Sequence, residues 1–349
     1  MSGSSSRNDK HGTQVCVTGA SGFIGSHVVR ELLERGYRVR ATVRDANDEA
    51  KVGHLRKLAE GAAHPLEIVR ADLLDEGSFD TPFSGCQYIF HVAASVRLTA
   101  KDPQREIVDV AVLGTENALR AASKAKTVER VVLTSSVAAV FDLAPRPEHV
   151  YTEADWTSDA TLSGSPYPLA KTLSEKRAWE LVEDESFDLV AINPAMVMGP
   201  VMSKAHLRSS PALLRDLLTG KFPAAPSFHF GIVDVRDVAR AHVEAVERSQ
   251  ASGRHIMYTQ GKWMRELCDI MRQHFPQFSK VPKRRMPNAL MYVVAMFDSR
   301  LSWSFLRRSL DVANQVDASR VERELGIEPI AVEQSVIDTC QSFIDLGYV

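Results

Sequence analysis

The chain has 349 residues, of which 44% are hydrophobic and 25% are charged, with a formal net charge of −2. This length suits one large α/β domain with a smaller lobe, and the balanced charge argues against a nucleic-acid or anionic-membrane partner. The four cysteines form no CxxC pair and lack metal-ligand spacing, so we expect reduced thiols, no metal and a cytoplasmic location. Residues 1–12 are polar and serine-rich, which predicts a disordered tail.

Strands and helices alternate from the start of the chain. Thr13 to Val17 is a predicted strand, a helix is expected from Gly22 to Arg35, and Arg38 to Val43 is a second strand. Further strands are predicted at 66–70, 88–92, 130–135 and 188–193, and further helices at 102–125 and 167–183. Apolar strands separated by helices predict an α/β fold with a doubly wound parallel (Rossmann) sheet, covered on both faces.

The alternation breaks down after Pro194. A helical pattern returns at 231–247, residues 262–330 look mostly helical, and 332–346 predict a closing helix. The apolar run Ala289 to Phe297 is too short to cross a bilayer, which needs about 20 residues, and we interpret it as a core or pocket helix. We predict two units, a dinucleotide-binding domain and a smaller, mainly helical substrate lobe, formed respectively by 13–194 with 231–260 and by 195–230 with 261–349.

A glycine-rich loop, TGASGFIG (18–25), joins the first strand to the first helix. Gly19 permits a tight turn, Gly22 lets the backbone approach a pyrophosphate, and Gly25 lets helix and strand pack closely. The helix N-terminus presents free N–H groups and a positive dipole end to the anion. The loop therefore predicts dinucleotide contacts from Gly19, Ser21, Gly22, Phe23, Ile24 and Gly25.

The choice of dinucleotide depends on the end of the second strand. NAD-specific sites often place a carboxylate there, whereas this chain has Arg44, followed by Asp45 and then by Lys51. Two cations suit a 2′-phosphate, so we expect NADP(H). Asp72 and Leu73, just after the third strand, are expected to meet the adenine.

A tyrosine and a lysine share one helix face at Tyr167 and Lys171. A carbonyl that accepts hydride needs a proton, and a nearby ammonium lowers the pKa of a phenol so that it can act as the acid. Ser136 ends the run LTSS at the carboxyl end of a central strand, where ligands bind in doubly wound sheets. Its hydroxyl is placed to polarise the substrate oxygen.

With these motifs the sequence resembles the extended short-chain dehydrogenase/reductase family, closest to its dihydroflavonol reductase, cinnamoyl-CoA reductase and microbial aldehyde and ketone reductase group. The matching stretches are VCVTGASGFIGSHVV (15–29), VRATVRD (39–45), ADLLDEGSFD (71–80), FHVAA (90–94), VVLTSSVAAV (131–140) and YPLAKTLSEKRAW (167–179).

The resemblance implies an NADP-dependent oxidoreductase acting on CH–OH groups, with Ser136, Tyr167 and Lys171 as catalytic residues and Arg44 and Lys51 as 2′-phosphate ligands. It also implies that Val92 and Ala93 line the cofactor cleft and that Asn193 and Pro194 flank the nicotinamide. Further cofactor contacts are expected from Ala94, Thr134, Ser135, Met196 and Val197.

The chain departs from the plant members of this group in three places. Pro168 directly follows the tyrosine, which fits only if Tyr167 lies in the first turn of its helix. Phe141 stands where plant flavonoid reductases tend to carry an Asn, which argues against a dihydroflavonol substrate. Residues 282–310 also diverge from the plant pattern.

The substrate side is predicted from the irregular segments, where Met and Phe make an adaptable apolar pocket. The candidates are Ser95, Val96, Phe141, Met198, Met202 and Phe228. His206 and His229 are expected to pack rather than react. The basic run Lys280, Lys283, Arg284 and Arg285 is interpreted as a solvated face.

The sequence favours an NADPH-dependent reductase of an apolar aldehyde or ketone, with Tyr167 as the general acid/base. Two enzyme alternatives stay open, a nucleotide-sugar epimerase or dehydratase and a 3β-hydroxysteroid dehydrogenase. A non-catalytic NADP(H)-sensing module is the third. The expected partner is a small carbonyl or alcohol compound, with no nucleic acid or membrane, and the protein is expected to be a monomer or homodimer.

Overall fold

The structure, a computed structural model, describes residues 11–95, 97, 99–144, 146, 148–296 and 303–349, except for the side chain of residue 304. The substrate candidate Val96 and residues 1–10 of the predicted tail lie outside the described residues.

Strands and helices alternate over most of the described chain. The strands are β1 (Gln14–Thr18), β2 (Arg38–Val43), β3 (Glu67–Arg70), β4 (Tyr88–His91), β5 (Arg130–Thr134), β6 (Val150–Tyr151), β7 (Asp188–Pro194), β8 (Met196–Met198), β9 (His229–Asp234), β10 (Gly253–Met257), β11 (Gln260–Trp263) and β12 (Gln315–Val316). The α-helices are α1 (Phe23–Glu34), α2 (Glu49–Leu58), α3 (Asp80–Phe83), α4 (Asp109–Ala125), α5 (Pro166–Val182), α6 (Pro211–Leu218), α7 (Val235–Glu247), α8 (Met264–His274), α9 (Asn288–Ala295), α10 (Trp303–Ser309) and α11 (Val332–Asp345).

Seven parallel strands form the central sheet, in the order β10-β7-β5-β4-β1-β2-β3. The order of strand addition reverses between β1 and β4, and open α/β sheets bind their ligands at such a point, beyond the carboxyl ends of the strands. This confirms the predicted doubly wound parallel sheet and brings the ends of β1, β4 and β5 to one edge.

Both faces of the sheet are buried, which explains the continuous apolar character of its strands. Val15 and Val17 of β1 belong to the core on one face, whereas Cys16 between them belongs to the core on the other. Successive side chains of a strand point to opposite faces, so a strand covered by helices on both sides needs apolar residues at every position. All four cysteines are buried free thiols.

The helix predicted from Gly231 begins later than expected. Residues 229–234 form β9, which pairs with β8 and β11 in a separate three-stranded sheet, and α7 begins only at Val235. Asp234 caps that helix by accepting a hydrogen bond from the backbone N–H of Arg236. The pairing of β9 with β8 and β11 overrides the helical pattern. This pairing is a tertiary contact, so no pattern in the local sequence indicates it.

The C-terminal half has less helix than the pattern of residues 262–330 predicted. Helices α8, α9 and α10 are separated by irregular segments, and α11 closes the chain by packing against α6 and α8. The apolar run in α9 was expected to be a core or pocket helix, yet only Met291 is buried there, while Leu290 and Val293 are about half exposed. Among the described residues, no helix is both long and apolar enough to span a bilayer.

Candidate active site

The glycine-rich loop packs against the end of β4. Gly19 has a φ of +62°, and a Cβ there would lie 2.7 Å from the Cα of Ala93. A Cβ on Gly25 would lie 2.4 Å from the carbonyl oxygen of Gly19. Helix α1 then begins at Phe23 without a side-chain cap from Gly22, so its first N–H groups face outward for an anion.

Thr18 and His91 join the ends of β1 and β4. The Thr18 hydroxyl lies 3.0 Å from Nδ1 of His91 and accepts a hydrogen bond of 3.0 Å from the backbone N–H of Ala93. Burial, helped by the nearby charge of Lys171, lowers the pKa of His91 to about 4. The imidazole is therefore neutral at physiological pH. Sequence analysis assigned no role to either residue. The only feature of the sequence that could have indicated one is that each residue lies at the end of a predicted strand.

The two cations predicted for a 2′-phosphate lie at the surface beyond β2. Arg44 is exposed and forms no ion pair within the described part of the chain. Lys51, in the first turn of α2, forms an ion pair with Asp48. The Arg44 guanidinium is therefore free of carboxylates among the described residues, whereas the Lys51 ammonium is partly neutralised by Asp48.

The three predicted catalytic side chains come together beyond the carboxyl end of β5. Tyr167 is the second residue of α5, which satisfies the condition set by Pro168. The Ser136 hydroxyl lies near enough to the Tyr167 phenol to lower its pKa, and it accepts a hydrogen bond of 3.1 Å from the backbone N–H of Ala138. Lys171 donates from Nζ to the carbonyl oxygen of Thr134 at 3.3 Å.

Burial controls the protonation of this group. It raises the pKa of Tyr167 above its ordinary value, and the neighbouring Ser136 hydroxyl opposes that rise. Desolvation also lowers the pKa of Lys171 to about 8, against the pull of the Glu175 carboxylate. The sequence argument expected the ammonium to lower the pKa of Tyr167, but desolvation of the phenol is the larger effect in this structure.

One cavity connects the catalytic group with residues predicted to contact the cofactor. Tyr167 and Lys171 line it on one side, and the residues from the other strand ends are Leu73, Ala93, Ala94, Ser95, Thr134 and Ser135. Val92 is partly buried beside them and packs against the main core. Asp72 lies at the end of β3, where its carboxylate accepts a hydrogen bond of 3.0 Å from the backbone N–H of Leu74.

A buried acidic side chain behind the catalytic group was missed by sequence analysis. Glu175 follows Lys171 by one helical turn and is fully buried. Its carboxylate accepts hydrogen bonds from Ser135 and from Asn193, two residues predicted to lie at the cofactor. The signal that could have found it is its spacing of four residues from Lys171, which puts both on one helix face.

The residues predicted from β7 and β8 differ in their burial. Pro194 ends β7, and its carbonyl oxygen lies 3.5 Å from the Ser136 hydroxyl. Met196 is partly buried, and Val197 is buried. Met198 has no exposed surface and belongs to the main core, which favours a packing role over substrate contact.

The aromatic substrate candidates lie in two separate clusters. Phe141 packs against Tyr151 with ring centroids 4.9 Å apart. Phe228 packs against Phe305 at 5.8 Å. Neither belongs to the cavity beside Tyr167.

The remaining candidates occupy packing positions. Met202 is partly buried, and its backbone N–H hydrogen-bonds His206. His206 itself is buried against Phe23 and His54, and His229 packs on Trp263. These positions agree with the expectation that both histidines pack. The basic positions Lys283, Arg284 and Arg285 are exposed.

Comparison with known proteins gives matches over most of the chain. The model of the NAD dependent epimerase/dehydratase family matches residues 15–258. A cinnamoyl-CoA reductase of Medicago truncatula is 44% identical over 269 residues, which are 76% of this chain and 82% of that protein. A bifunctional dihydroflavonol 4-reductase/flavanone 4-reductase of Malus domestica is 37% identical over 277 residues, covering 76% of this chain and 77% of the relative.

The solved structures agree with these relatives. Gre2 from Candida albicans in complex with NADPH is 30% identical, with a TM-score of 0.79 over 95% of this chain and 99% of that chain. These matches confirm the predicted resemblance, the oxidoreductase class and the expectation of an NAD(P)-type cofactor. The chain therefore belongs to the NAD dependent epimerase/dehydratase family, in the extended branch of the short-chain dehydrogenases/reductases.

Proposed function

We propose that this protein reduces an apolar aldehyde or ketone with NADPH, with Tyr167 as the general acid and Ser136 and Lys171 beside it. The observation that carries the proposal is the convergence of Ser136, Tyr167 and Lys171 beyond the carboxyl end of β5, where Tyr167 and Lys171 line one cavity and the Ser136 hydroxyl lies near enough to the phenol to lower its pKa. The reductase activities of the relatives and the NADPH bound to Gre2 support it.

The cleft residues fit a nicotinamide dinucleotide. Gly19 lets the loop lie directly against Ala93, where a Cβ would clash, and the uncapped start of α1 offers N–H groups to a pyrophosphate. At the other end, Oδ1 of Asn193 is buried and has no hydrogen-bond partner among the described residues. A buried polar atom of this kind is an acceptor left for a bound group.

Each of the three proposed catalytic side chains has its own role in delivering a proton to the substrate. When bound, NADPH would supply the hydride. The Ser136 hydroxyl would donate a hydrogen bond to the carbonyl oxygen, and Tyr167 would give its phenolic proton to that oxygen as negative charge develops. The raised pKa of Tyr167 keeps this proton in place beforehand, and the ammonium of Lys171 would stabilise the phenolate afterwards.

The preference for NADPH over NADH rests on Arg44. Its exposed guanidinium can form a two-pronged hydrogen bond with a phosphate, and no protein carboxylate within the described residues competes for it. Lys51 adds a second cation, weakened by Asp48.

The extent of the central sheet supports the proposed division of the chain into a cofactor domain and a substrate lobe. We assign residues 13–194 and 231–260 to the cofactor domain, since β10 extends the central sheet beside β7. Residues 195–230 and 261–349 form the proposed substrate lobe, with Phe228 and Met202 as candidate contacts and Ser95 at the cavity. The expectations of a monomer or homodimer and of a cytoplasmic location stay predictions.

A spectrophotometric assay with a panel of aldehydes and ketones tests this proposal. NADPH should be consumed with apolar carbonyl compounds, and NADH should be used with a much higher KM. Protein that purifies with bound NAD+ and converts nucleotide sugars without net redox change would replace the proposal with an epimerase. Tight NADPH binding with no turnover of any carbonyl compound would favour a sensing module.

A further inference from the structure

Glu175 of α5 is a fully buried carboxylate that connects three strand ends. It accepts a hydrogen bond of 2.5 Å from the Ser135 hydroxyl after β5 and one of 2.8 Å from Nδ2 of Asn193 in β7. Arg254 of β10 donates from Nε at 2.6 Å. One carboxylate therefore fixes the turn that carries Ser136 and the strand that carries Asn193.

Arg254 extends this network to the segment that follows Ser136. Only 6% of its surface is exposed, and its guanidinium lies 3.8 Å from the ring centroid of Trp156. It donates hydrogen bonds to the backbone carbonyls of Ala139, Glu153 and Asp155. The guanidinium thereby ties both ends of the 139–156 segment to the central sheet.

Stability alone is a weak reason for such a pair. Removing two charges from water costs several kcal/mol, and replacing a buried ion pair by apolar residues is often neutral or stabilising. The position of this pair is therefore informative. Lys171 has Tyr167 and Glu175 on its own helix and neutral His91 facing it from β4, while Arg254 approaches Glu175 from β10. Glu175 is the anion among these groups.

We propose that Glu175, held by Arg254, is a positioning residue that fixes the Ser135–Ser136 turn and keeps Lys171 protonated while Tyr167 transfers its proton. The inference rests on the proposed function. The electrostatics support the geometry, because desolvation lowers the pKa of Lys171 to about 8 and Glu175 opposes that fall. Without the carboxylate, Lys171 would lose its proton at a lower pH, and the phenolate would lose its counter-charge.

The substitution Glu175→Gln tests this role, with Glu244→Gln as the matched control. Glu244 is also a buried carboxylate paired with arginine, at 2.9 Å from Arg35, but it lies in α7 against the end of α1. In Glu175→Gln the basic limb of the kcat/KM profile should move to lower pH, because the carboxylate that raises the pKa of Lys171 is gone. In Glu244→Gln the limb should stay in place while the Tm falls.

Direct titration of Lys171 separates this inference from the proposed function. The Lys171 Nζ resonance in lysine-labelled protein, assigned by its absence in Lys171→Met, reports its pKa whether or not the protein reduces carbonyl compounds. We expect a lower pKa in Glu175→Gln and an unchanged one in Glu244→Gln. Equal values in Glu175→Gln and the wild type would overturn the inference, even if turnover were lost.

Two further variants keep the inference falsifiable. If Glu175→Gln alone does not fold, the double change with Arg254→Met removes the unpaired guanidinium and should restore folding, with the pKa of Lys171 still lowered. Arg254→Lys keeps a positive charge but loses the planar guanidinium, which can donate several hydrogen bonds at once. It should lower kcat about tenfold and leave the KM for NADPH unchanged, because an ammonium cannot make all the hydrogen bonds by which the guanidinium holds Glu175 and the 139–156 segment. Wild-type kcat in that variant would contradict the positioning role.

Discussion

The two ends of the proposed cofactor site hold their cations in opposite ways. At the reacting end, Lys171 is buried beside Tyr167 and Glu175, and desolvation lowers its pKa to about 8. At the other end, Arg44 and Lys51 are exposed beyond β2. A buried ammonium acts strongly on the charge that forms beside it during a reaction, whereas an exposed guanidinium attracts a phosphate from solution. We therefore expect the end at Lys171 to determine the rate of reduction, and the end at Arg44 and Lys51 to determine the choice between NADPH and NADH.

The largest expected effect comes from removing the buried cation. Lys171→Met should lower kcat about 100-fold or more, because general acid–base catalysis contributes about 10²–10⁴-fold and the Tyr167 phenolate would lose its counter-charge. Lys176→Met is the matched control, since Lys176 lies on the same helix but is exposed over the Trp156 ring at 5.2 Å. Steady-state kinetics at saturating NADPH measure both. Equal kcat values in Lys171→Met and Lys176→Met would contradict the proposal that the buried lysine acts in proton transfer.

The second largest effect is expected from removing Arg44 at the exposed end of the proposed cofactor site. Arg44→Ala should raise the KM for NADPH about 10- to 100-fold, since a charge-assisted hydrogen bond is worth about 1.5–3 kcal/mol, and should leave the KM for NADH unchanged. Arg56→Ala, in α2 with its guanidinium on Glu49, is the control and should change neither constant. Parallel losses with both cofactors would mean that Arg44 does not contact the 2′-phosphate.

A smaller effect is expected at Lys51. Its ion pair with Asp48 already neutralises part of its charge, so Lys51→Ala should raise the KM for NADPH only about threefold. Asp48→Asn should act in the opposite direction and lower that KM, because it frees the ammonium. If Lys51→Ala raised the KM for NADPH as much as Arg44→Ala, Lys51 would have to leave Asp48 and pair with the 2′-phosphate when NADPH binds.

The smallest effect is that of salt. The Debye length falls from about 10 Å at 0.1 M to about 3 Å at 1 M, so added salt should raise the KM for NADPH about twofold. The kcat should change little, because buried charges are screened much less. Steady-state titrations at two ionic strengths check this. A kcat that falls as steeply as the affinity would contradict the burial of the catalytic group.

The sequence predicted the strands and helices before Pro194 better than those after it, for a physical reason. The loop at Gly19, the strand Arg38–Val43 and the pair Tyr167 and Lys171 are local patterns, and the structure places them as their spacing required. Strand β9 was read as helix because its pairing with β8 and β11 is tertiary. Glu175 and Arg254 are 79 residues apart, and no local pattern connects them.

The central claim is that Tyr167 supplies the proton while Arg44 only holds the cofactor, and single-turnover reduction at saturating NADPH tests it most directly. Tyr167→Phe should lose at least about 100-fold in rate with NADPH affinity unchanged, whereas Arg44→Ala should keep the rate and lose affinity. Tyr37→Phe, which removes a buried hydroxyl that bonds Glu247, is the control and should match the wild type in both quantities. A wild-type rate in Tyr167→Phe would contradict the account.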